Sequence, residues 1–274
     1  MQPRKFFAAL SLVWLVAAAP TTPAPTTPAP GPVRVIGTGL GCIAGAVRLP
    51  DEAPGLQTVR LSKSTFWGHS EVIANILLLG QRAHAMGLPD LYIGDLSGPR
   101  GGPIPGGHAS HQRGLDADVY LDVAGPHPVL PLAQREGIDP PSLVRPDGRG
   151  IDPTRWRPEH VALIRLATQL PLVDRVLVNP AIKQQLCQTV TGDRSWLHLV
   201  RPWYGHAAHM HISFRCPAGQ PACHNLPPPP PDADCGANLQ WWFTRLDAKP
   251  TPAPTKPPPR PKPPAACAAI MAAP

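Results

Sequence analysis

Three stretches of the chain carry apolar residues at helical spacing. In residues 70–86 the apolar positions fall three and four apart, and a glycine and a proline follow. This pattern predicts an amphipathic helix that ends at the glycine. Shorter stretches at 158–167 and 180–187, each opened by a proline, predict two further helices.

Two other stretches alternate apolar and polar side chains, which is the pattern of a half-buried strand. In residues 115–123 the odd positions are apolar, and the polar positions are Asp116, Asp118, Tyr120 and Asp122. In residues 209–214 three apolar side chains alternate with His209, His211 and Ser213. Residues 91–96 and 173–179 predict two further strands, whereas 125–155 look irregular. Helices mixed with non-consecutive strands predict an α+β domain.

The prolines divide the chain. Of the 41 prolines, many gather in residues 21–30, 227–231 and 250–264. We therefore expect a leader of residues 1–19, a Pro/Thr-rich linker of 20–32, one globular domain of 33–246 and a Pro-rich basic tail of 247–274. The globular region is long enough to bury a core of its own.

The leader has the layout of a secretory signal peptide. Arg4 and Lys5 precede an apolar run at residues 6–19, and small residues for cleavage lie at its end. That run is too short to span a bilayer comfortably, although an uncleaved anchor is the alternative interpretation. We therefore expect an exported protein without stable membrane insertion.

The formal charge of +7 raises the question of a nucleic-acid partner. Much of this charge lies in the leader and the tail, because residues 31–246 contain 19 basic and 17 acidic side chains. A region so close to neutrality lacks the basic surface that a polyanion needs. We expect no nucleic-acid partner.

The chain has six cysteines, an even number in a protein that we expect to be exported. Disulfides are the first interpretation of such a set. Six cysteines allow fifteen pairings, and their spacing does not choose among them. A cysteine-bound zinc is a weaker alternative, because the sequence has no C-x-x-C.

Two short windows concentrate histidine and aspartate. GHASHQRGLDAD ends at Asp118 and GHAAHMH ends at His211, and together they hold five of the eleven histidines. Imidazole and carboxylate are the ligands of catalytic Zn²⁺. We therefore predict a zinc hydrolase whose site forms where the windows meet. The candidates are His108, His111, Asp116, Asp118, His206, His209 and His211.

Spacing sorts these candidates. His111 and Asp118 are an odd number of residues apart and would face opposite sides of one straight strand, but Gly114 permits a turn between them. His209 and His211 share a face of their predicted strand. Three protein ligands and a water make an open zinc site, so the remaining histidines are free to handle the water proton or the oxyanion.

Other arrangements fit less well. The sequence has neither H-E-x-x-H nor G-x-S-x-G, and Ser110 is a weak candidate nucleophile between two histidines. Asp116 is interpreted as a partner that orients an imidazole rather than as a ligand.

The windows and their surroundings resemble the penicillin-insensitive murein endopeptidases. These belong to the zinc peptidase superfamily of lysostaphin, the D-Ala-D-Ala carboxypeptidases and the hedgehog fold. The resemblance covers residues 37–243 and is carried by GHASHQRGLDADV, LVNPAIKQQLC, RPWYGHAAHMH and CGANLQWWF.

The resemblance implies a role for each candidate. His111, Asp118 and His211 would bind the catalytic zinc, His209 would be the catalytic histidine and His206 would line the site. The family also has a second metal site, which would use His108 and Asp147. Its last ligand would fall at Gly150, and this departure weakens the case for a second metal.

The resemblance also implies disulfides, fold and function. The pairs would be Cys42–Cys267, Cys187–Cys235 and Cys216–Cys223. The fold would be a small antiparallel sheet that carries the zinc site, flanked by helices. The expected activity is hydrolysis of D-alanyl–meso-diaminopimelyl cross-links of peptidoglycan in the periplasm. Two alternatives are a D,D-carboxypeptidase and a non-catalytic zinc-containing module that binds the cell wall.

Overall fold

The computed structural model describes residues 25–104, 110–247 and 262–274. The predicted leader, His108 and part of the predicted tail therefore lie outside the described residues. The helices are α1 (Ser70–Ala85), α2 (Leu132–Arg135), α3 (Pro158–Thr168), α4 (Pro180–Thr189), α5 (Ala237–Thr244) and α6 (Cys267–Met271), and short 3-10 helices lie at Leu61–Lys63 and Ser195–Leu199.

The strands of the described residues are short. They are β1 (Arg34–Gly37), β2 (Gly41–Ala44), β3 (Val47–Arg48), β4 (Glu52–Ala53), β5 (Leu56–Thr58), β6 (Trp67–Gly68), β7 (Leu91–Ile93), β8 (Asp116–Tyr120), β9 (Val173–Val178), β10 (Val200–Pro202) and β11 (His209–Phe214). The predicted helices are confirmed as α1, α3 and α4, and the four predicted strands as β7, β8, β9 and β11.

The main sheet is larger than predicted and is not purely antiparallel. It has seven strands in the order β10-β9-β11-β8-β7-β5-β4. The inner strands β9, β11, β8 and β7 are antiparallel, but β10 pairs with β9 and β5 pairs with β7 in parallel. The expectation of a small antiparallel sheet is therefore wrong. Parallel neighbours need a crossover connection, which α1 provides between β5 and β7 and α4 provides between β9 and β10.

The core lies on one face of this sheet. Ala117 and Val119 of β8 and Met210 and Ile212 of β11 are fully buried, and they belong to one apolar cluster with side chains of α1 and α3. The opposite face of these two strands carries the predicted acidic and histidine side chains. We expected β8 to be half-buried, but Asp116 and Asp118 are also buried, because histidines from other segments cover them.

Three disulfides tie the fold together. The described cysteines pair as Cys42–Cys267, Cys187–Cys235 and Cys216–Cys223, the set that the family resemblance implies. The first bridge holds α6 against β2 in a small apolar cluster. Arg100 reinforces it by donating hydrogen bonds to main-chain carbonyls of Thr27, Ile270, Met271, Ala273 and Pro274.

Candidate metal centre

The register of β8 and β11 brings the two sequence windows together. His211 lies directly opposite Asp118, and Ser213 lies opposite Asp116. Side chains opposite each other in paired strands project to the same face of a sheet. The alternation that buries the apolar positions therefore also places the polar positions of both strands side by side.

His111 reaches the same point from the loop before β8. The turn passes through Gly114, whose φ is +65°, and a Cβ there would meet Cα of Gly68 and Cδ1 of Ile43 at 2.9 Å. His111 itself has a φ of 63°, an unfavourable conformation for a residue with a side chain. Its Nδ1 lies 2.8 Å from the carbonyl oxygen of Leu96, which fixes the ring.

Three donor atoms meet in a small triangle. Nδ1 of His211 lies 3.0 Å from Nε2 of His111 and 3.1 Å from Oδ1 of Asp118, and the third side, from His111 to Asp118, is 3.3 Å. Ligands about 2.0 to 2.1 Å from a tetrahedral Zn²⁺ are separated by roughly 3.3 Å. The three side chains therefore fit one face of a tetrahedral site and are the group in the described residues that could hold a metal ion.

When both histidine rings are neutral, the hydrogen bonds around the triangle direct one nitrogen lone pair of each ring inward. Nδ1 of His111 donates to Leu96, so Nε2 of the neutral ring carries a lone pair. Nε2 of His211 lies 3.1 Å from Oδ1 of Asp116 and donates to it, so Nδ1 of the neutral ring carries a lone pair as well. Two lone pairs and a carboxylate oxygen thus converge on one point, an arrangement that a cation stabilises.

Asp116 orients both histidines. Its Oδ2 accepts a hydrogen bond of 3.2 Å from the main-chain N–H of His111, while Oδ1 accepts from His211 and, at 2.9 Å, from the hydroxyl of Ser213. A carboxylate behind a metal-binding imidazole holds the ring in place and makes its inner nitrogen more basic. Sequence reasoning singled out Asp116 but missed Ser213, although Ser213 alternates with His211 on the same strand.

The site is strongly attractive to positive charge. Burial raises the pKa of the Asp118 carboxyl, but His111 and His211 outweigh burial and hold this pKa well below its ordinary value. The pKa of Asp116 is also lowered despite burial, mainly by its hydrogen bond to His211 and by the charge of that ring. Burial lowers the pKa of His211, yet hydrogen bonds to Asp116 and Asp118 raise it to about 10. A metal ion bound to the triangle would take the place of the proton that His211 carries near pH 7.

Two further histidines border the triangle. Nε2 of His209 lies 3.8 Å from Oδ2 of Asp118, and its side chain is 29% exposed. The ring of His206 lies 5.0 Å from that of His209 and 5.9 Å from that of His211. Burial lowers the pKa of both, and with the neighbouring histidines it lowers that of His206 to about 4. Both rings are therefore neutral near pH 7.

The structure does not bring Asp147 into this group. Asp147 is exposed and accepts hydrogen bonds from the side chain of Arg145 and the main chain of Arg149. His108 lies outside the described residues. Among the residues that the structure does describe, no second group of metal ligands is found, and the second-metal hypothesis gains no support from Asp147.

A cleft of about 1190 Å³ opens over the centre. Besides the histidines and aspartates, it is lined by Trp203, Trp241 and Trp242, and by Arg201. The tryptophans come from the segments RPWYGH and NLQWWF, which contributed to the family resemblance but received no role of their own. Trp203 could have been noticed because it lies just before the second histidine window, and Trp241 and Trp242 because they are consecutive.

Comparison with known proteins identifies the family. A family model described as penicillin-insensitive murein endopeptidase matches residues 35–272. The chain belongs to this family. A penicillin-insensitive murein endopeptidase of Klebsiella pneumoniae is 42% identical over 233 residues, which cover 84% of this chain and 83% of that protein. One of Salmonella arizonae is 40% identical over 256 residues, covering 89% and 92% respectively.

The family match includes the metal centre and most of the cleft, and it extends through α6. The Cys42–Cys267 bridge therefore lies within the matched region. None of the helices in the described ranges is long and apolar enough to cross a bilayer.

Proposed function

We propose that this chain is a zinc-dependent murein endopeptidase that hydrolyses D-alanyl–meso-diaminopimelyl cross-links of peptidoglycan. The observation that carries the proposal is the triangle of converging ligand atoms of His111, Asp118 and His211 at the floor of a large cleft. Membership of the murein endopeptidase family supports the substrate class. This substrate places the protein in the periplasm, with residues 33–246 as its catalytic domain.

The three ligands would hold the ion on one side and leave the cleft side open. When bound, zinc supplies a water of lowered pKa and a Lewis acid for the scissile carbonyl. His209 is next to this open side, since its ring borders Asp118 and is partly exposed. Its neutral ring accepts the water proton at Nε2 and delivers it to the leaving amine.

His206 has a different task. Its Nδ1 lies 3.0 Å from the carbonyl oxygen of Tyr204 and donates to it, so Nε2 is an acceptor. An acceptor binds a substrate N–H and does not stabilise an oxyanion. Asn179 holds the loop in place, because its main-chain N–H donates to the carbonyl of His206 and its side-chain amide donates to the carbonyl of Gly205. We infer that His206 positions the substrate peptide.

The test combines metal analysis with digestion of cross-linked muropeptide dimers. We expect one zinc per chain, loss of cleavage on chelation and recovery with added zinc. His209→Ala should retain zinc and lose about 100-fold or more in kcat. His84→Ala, at an exposed position of α1, is the control and should behave as wild type.

The products separate this function from its alternatives. A D,D-carboxypeptidase would release terminal D-alanine and leave the dimers intact. A non-catalytic module would bind zinc without turnover, and His209→Ala would change nothing. Undiminished cleavage of dimers after removal of the metal would refute the zinc mechanism.

A further inference from the structure

Arg201 lies in the same row of the main sheet as the metal centre. Across four neighbouring strands, Arg201 pairs with Leu177, Leu177 pairs with His211, and His211 pairs with Asp118. Because paired residues face the same side, Arg201 projects into the cleft that contains the ligands, and it lines that cleft. Two strand spacings, about 9.6 Å, separate the backbones of Arg201 and His211.

The guanidinium of Arg201 is fixed but not fully used. Nη2 lies 3.0 Å from Oδ2 of Asp234, whose side chain is only 2% exposed. Asn238 in turn donates to Oδ1 of Asp234 at 2.7 Å. Nη1 of Arg201 is buried and has no hydrogen-bond partner among the described residues. A buried donor without a partner is costly, so a ligand acceptor at this position is favoured.

The other arginines of the cleft donate more hydrogen bonds to the protein, although Nε of Arg113 is also buried without a partner among the described residues. Arg175 donates through Nε to Asp174 at 2.6 Å and through Nη2 to the carbonyl of Pro227 at 2.7 Å. Nη1 of Arg113 donates to the carbonyls of Gly37 and His224 at 3.1 and 3.2 Å. Arg201 differs from them because it lies on the row of the metal ligands and its terminal nitrogen Nη1 is the one that is buried without a partner among the described residues.

The proposed substrate carries a fitting acceptor. In a D-alanyl–meso-diaminopimelyl bond, the carbon that bears the acylated nitrogen also bears a carboxylate. That carboxylate lies roughly one residue length, about 3.8 Å, from the scissile carbonyl. A charged hydrogen bond of about 2.8 Å would join this carboxylate to a guanidinium, and Arg201 and His211 project over the same face from strands only two positions apart.

We propose that Arg201, held by Asp234, binds the carboxylate that flanks the scissile bond and so determines substrate specificity. This inference rests on the proposed function. A guanidinium fixed by a buried aspartate offers the planar donor geometry that a carboxylate accepts. The interaction positions the diaminopimelyl residue, whose amine is the leaving group, and takes no part in proton transfer.

The experiment compares two cross-linked dimers, one with the flanking carboxylate free and one with it converted to a carboxamide. For wild-type holoenzyme, amidation should raise KM by about 10- to 100-fold. Arg201→Gln should raise KM for the free carboxylate by a similar factor, change kcat much less, and no longer distinguish the two dimers. Arg165→Gln, an exposed arginine on α3 paired with Asp193, is the control.

A second variant guards against damage from an unpaired Asp234. Arg201→Gln with Asp234→Asn removes both charges and should show the same loss of discrimination. The inference is overturned if either variant still discriminates, or if wild type cleaves both dimers with equal KM. Cleavage of neither dimer by wild type would instead refute the proposed function, and the carboxylate subsite with it.

Discussion

Each of the three disulfides should stabilise the protein by an amount that increases with the logarithm of the length of the loop that it closes. Cys42–Cys267 closes 225 residues, Cys187–Cys235 closes 48 and Cys216–Cys223 closes 7. Because a cross-link lowers the entropy of the unfolded chain, these loops correspond to about 5, 4 and 2 kcal/mol at 25 °C. The loops are nested, but the inner bridges shorten the longest loop only to about 180 residues and lower its contribution by about 0.2 kcal/mol.

The assay is equilibrium unfolding in urea of three variants, each with one cysteine pair replaced by alanine. We expect the loss in free energy of unfolding to be greatest for Cys42/Cys267 and smallest for Cys216/Cys223, with a difference of about 3 kcal/mol. The difference is a sharper test than any single value, because constant contributions cancel. Equal losses, or the reverse order, would refute the reasoning from loop length.

Three other predictions concern single side chains. Asp116→Asn should weaken zinc binding about 10- to 100-fold in chelator competition, and unchanged affinity would exclude its orienting role. Gly114→Ala should lower the free energy of unfolding by about 2 to 4 kcal/mol, because Gly114 has a positive φ and an added Cβ would clash with its neighbours. Gly125→Ala is the control, since Gly125 has a positive φ but open space around it, and this variant should lose only about 1 to 2 kcal/mol. Equal losses in the two variants would contradict the contribution of the clash. Burial lowers the pKa of Lys183 from 10.5 to about 7, so the folded protein binds this proton less tightly than the unfolded chain. The free energy of unfolding should therefore rise with pH from about 7 towards 10.5, and Lys183→Met should flatten the rise in calorimetry; an identical pH profile would refute it.

The strands that carry the centre could be predicted because their alternation is long enough to be visible. β8 and β11 have five and six residues, and apolar and polar positions exchange at every step. The odd spacing from His111 to Asp118 correctly predicted a turn at Gly114, which has a positive φ. His111, Asp118 and His211 therefore do meet, with Asp116 behind them.

The topology of the sheet could not be predicted in the same way. β5 and β10 have three residues each, too few to show a period, and their parallel partners lie far away in the sequence. The place of Arg201 beside the metal centre follows from that pairing, so it was also hidden. The disulfide pairing came from family resemblance alone, since the spacing of six cysteines left every combination open.

The span of the Cys42–Cys267 bridge has a consequence for biosynthesis. A ribosome makes Cys42 early, but its partner follows 225 residues later. The strand β2 and the loop containing Arg100 must therefore wait for α6, and the bridge forms only in an oxidising compartment. The fold is thus completed late, only after α6 has been made and the bridge has been oxidised.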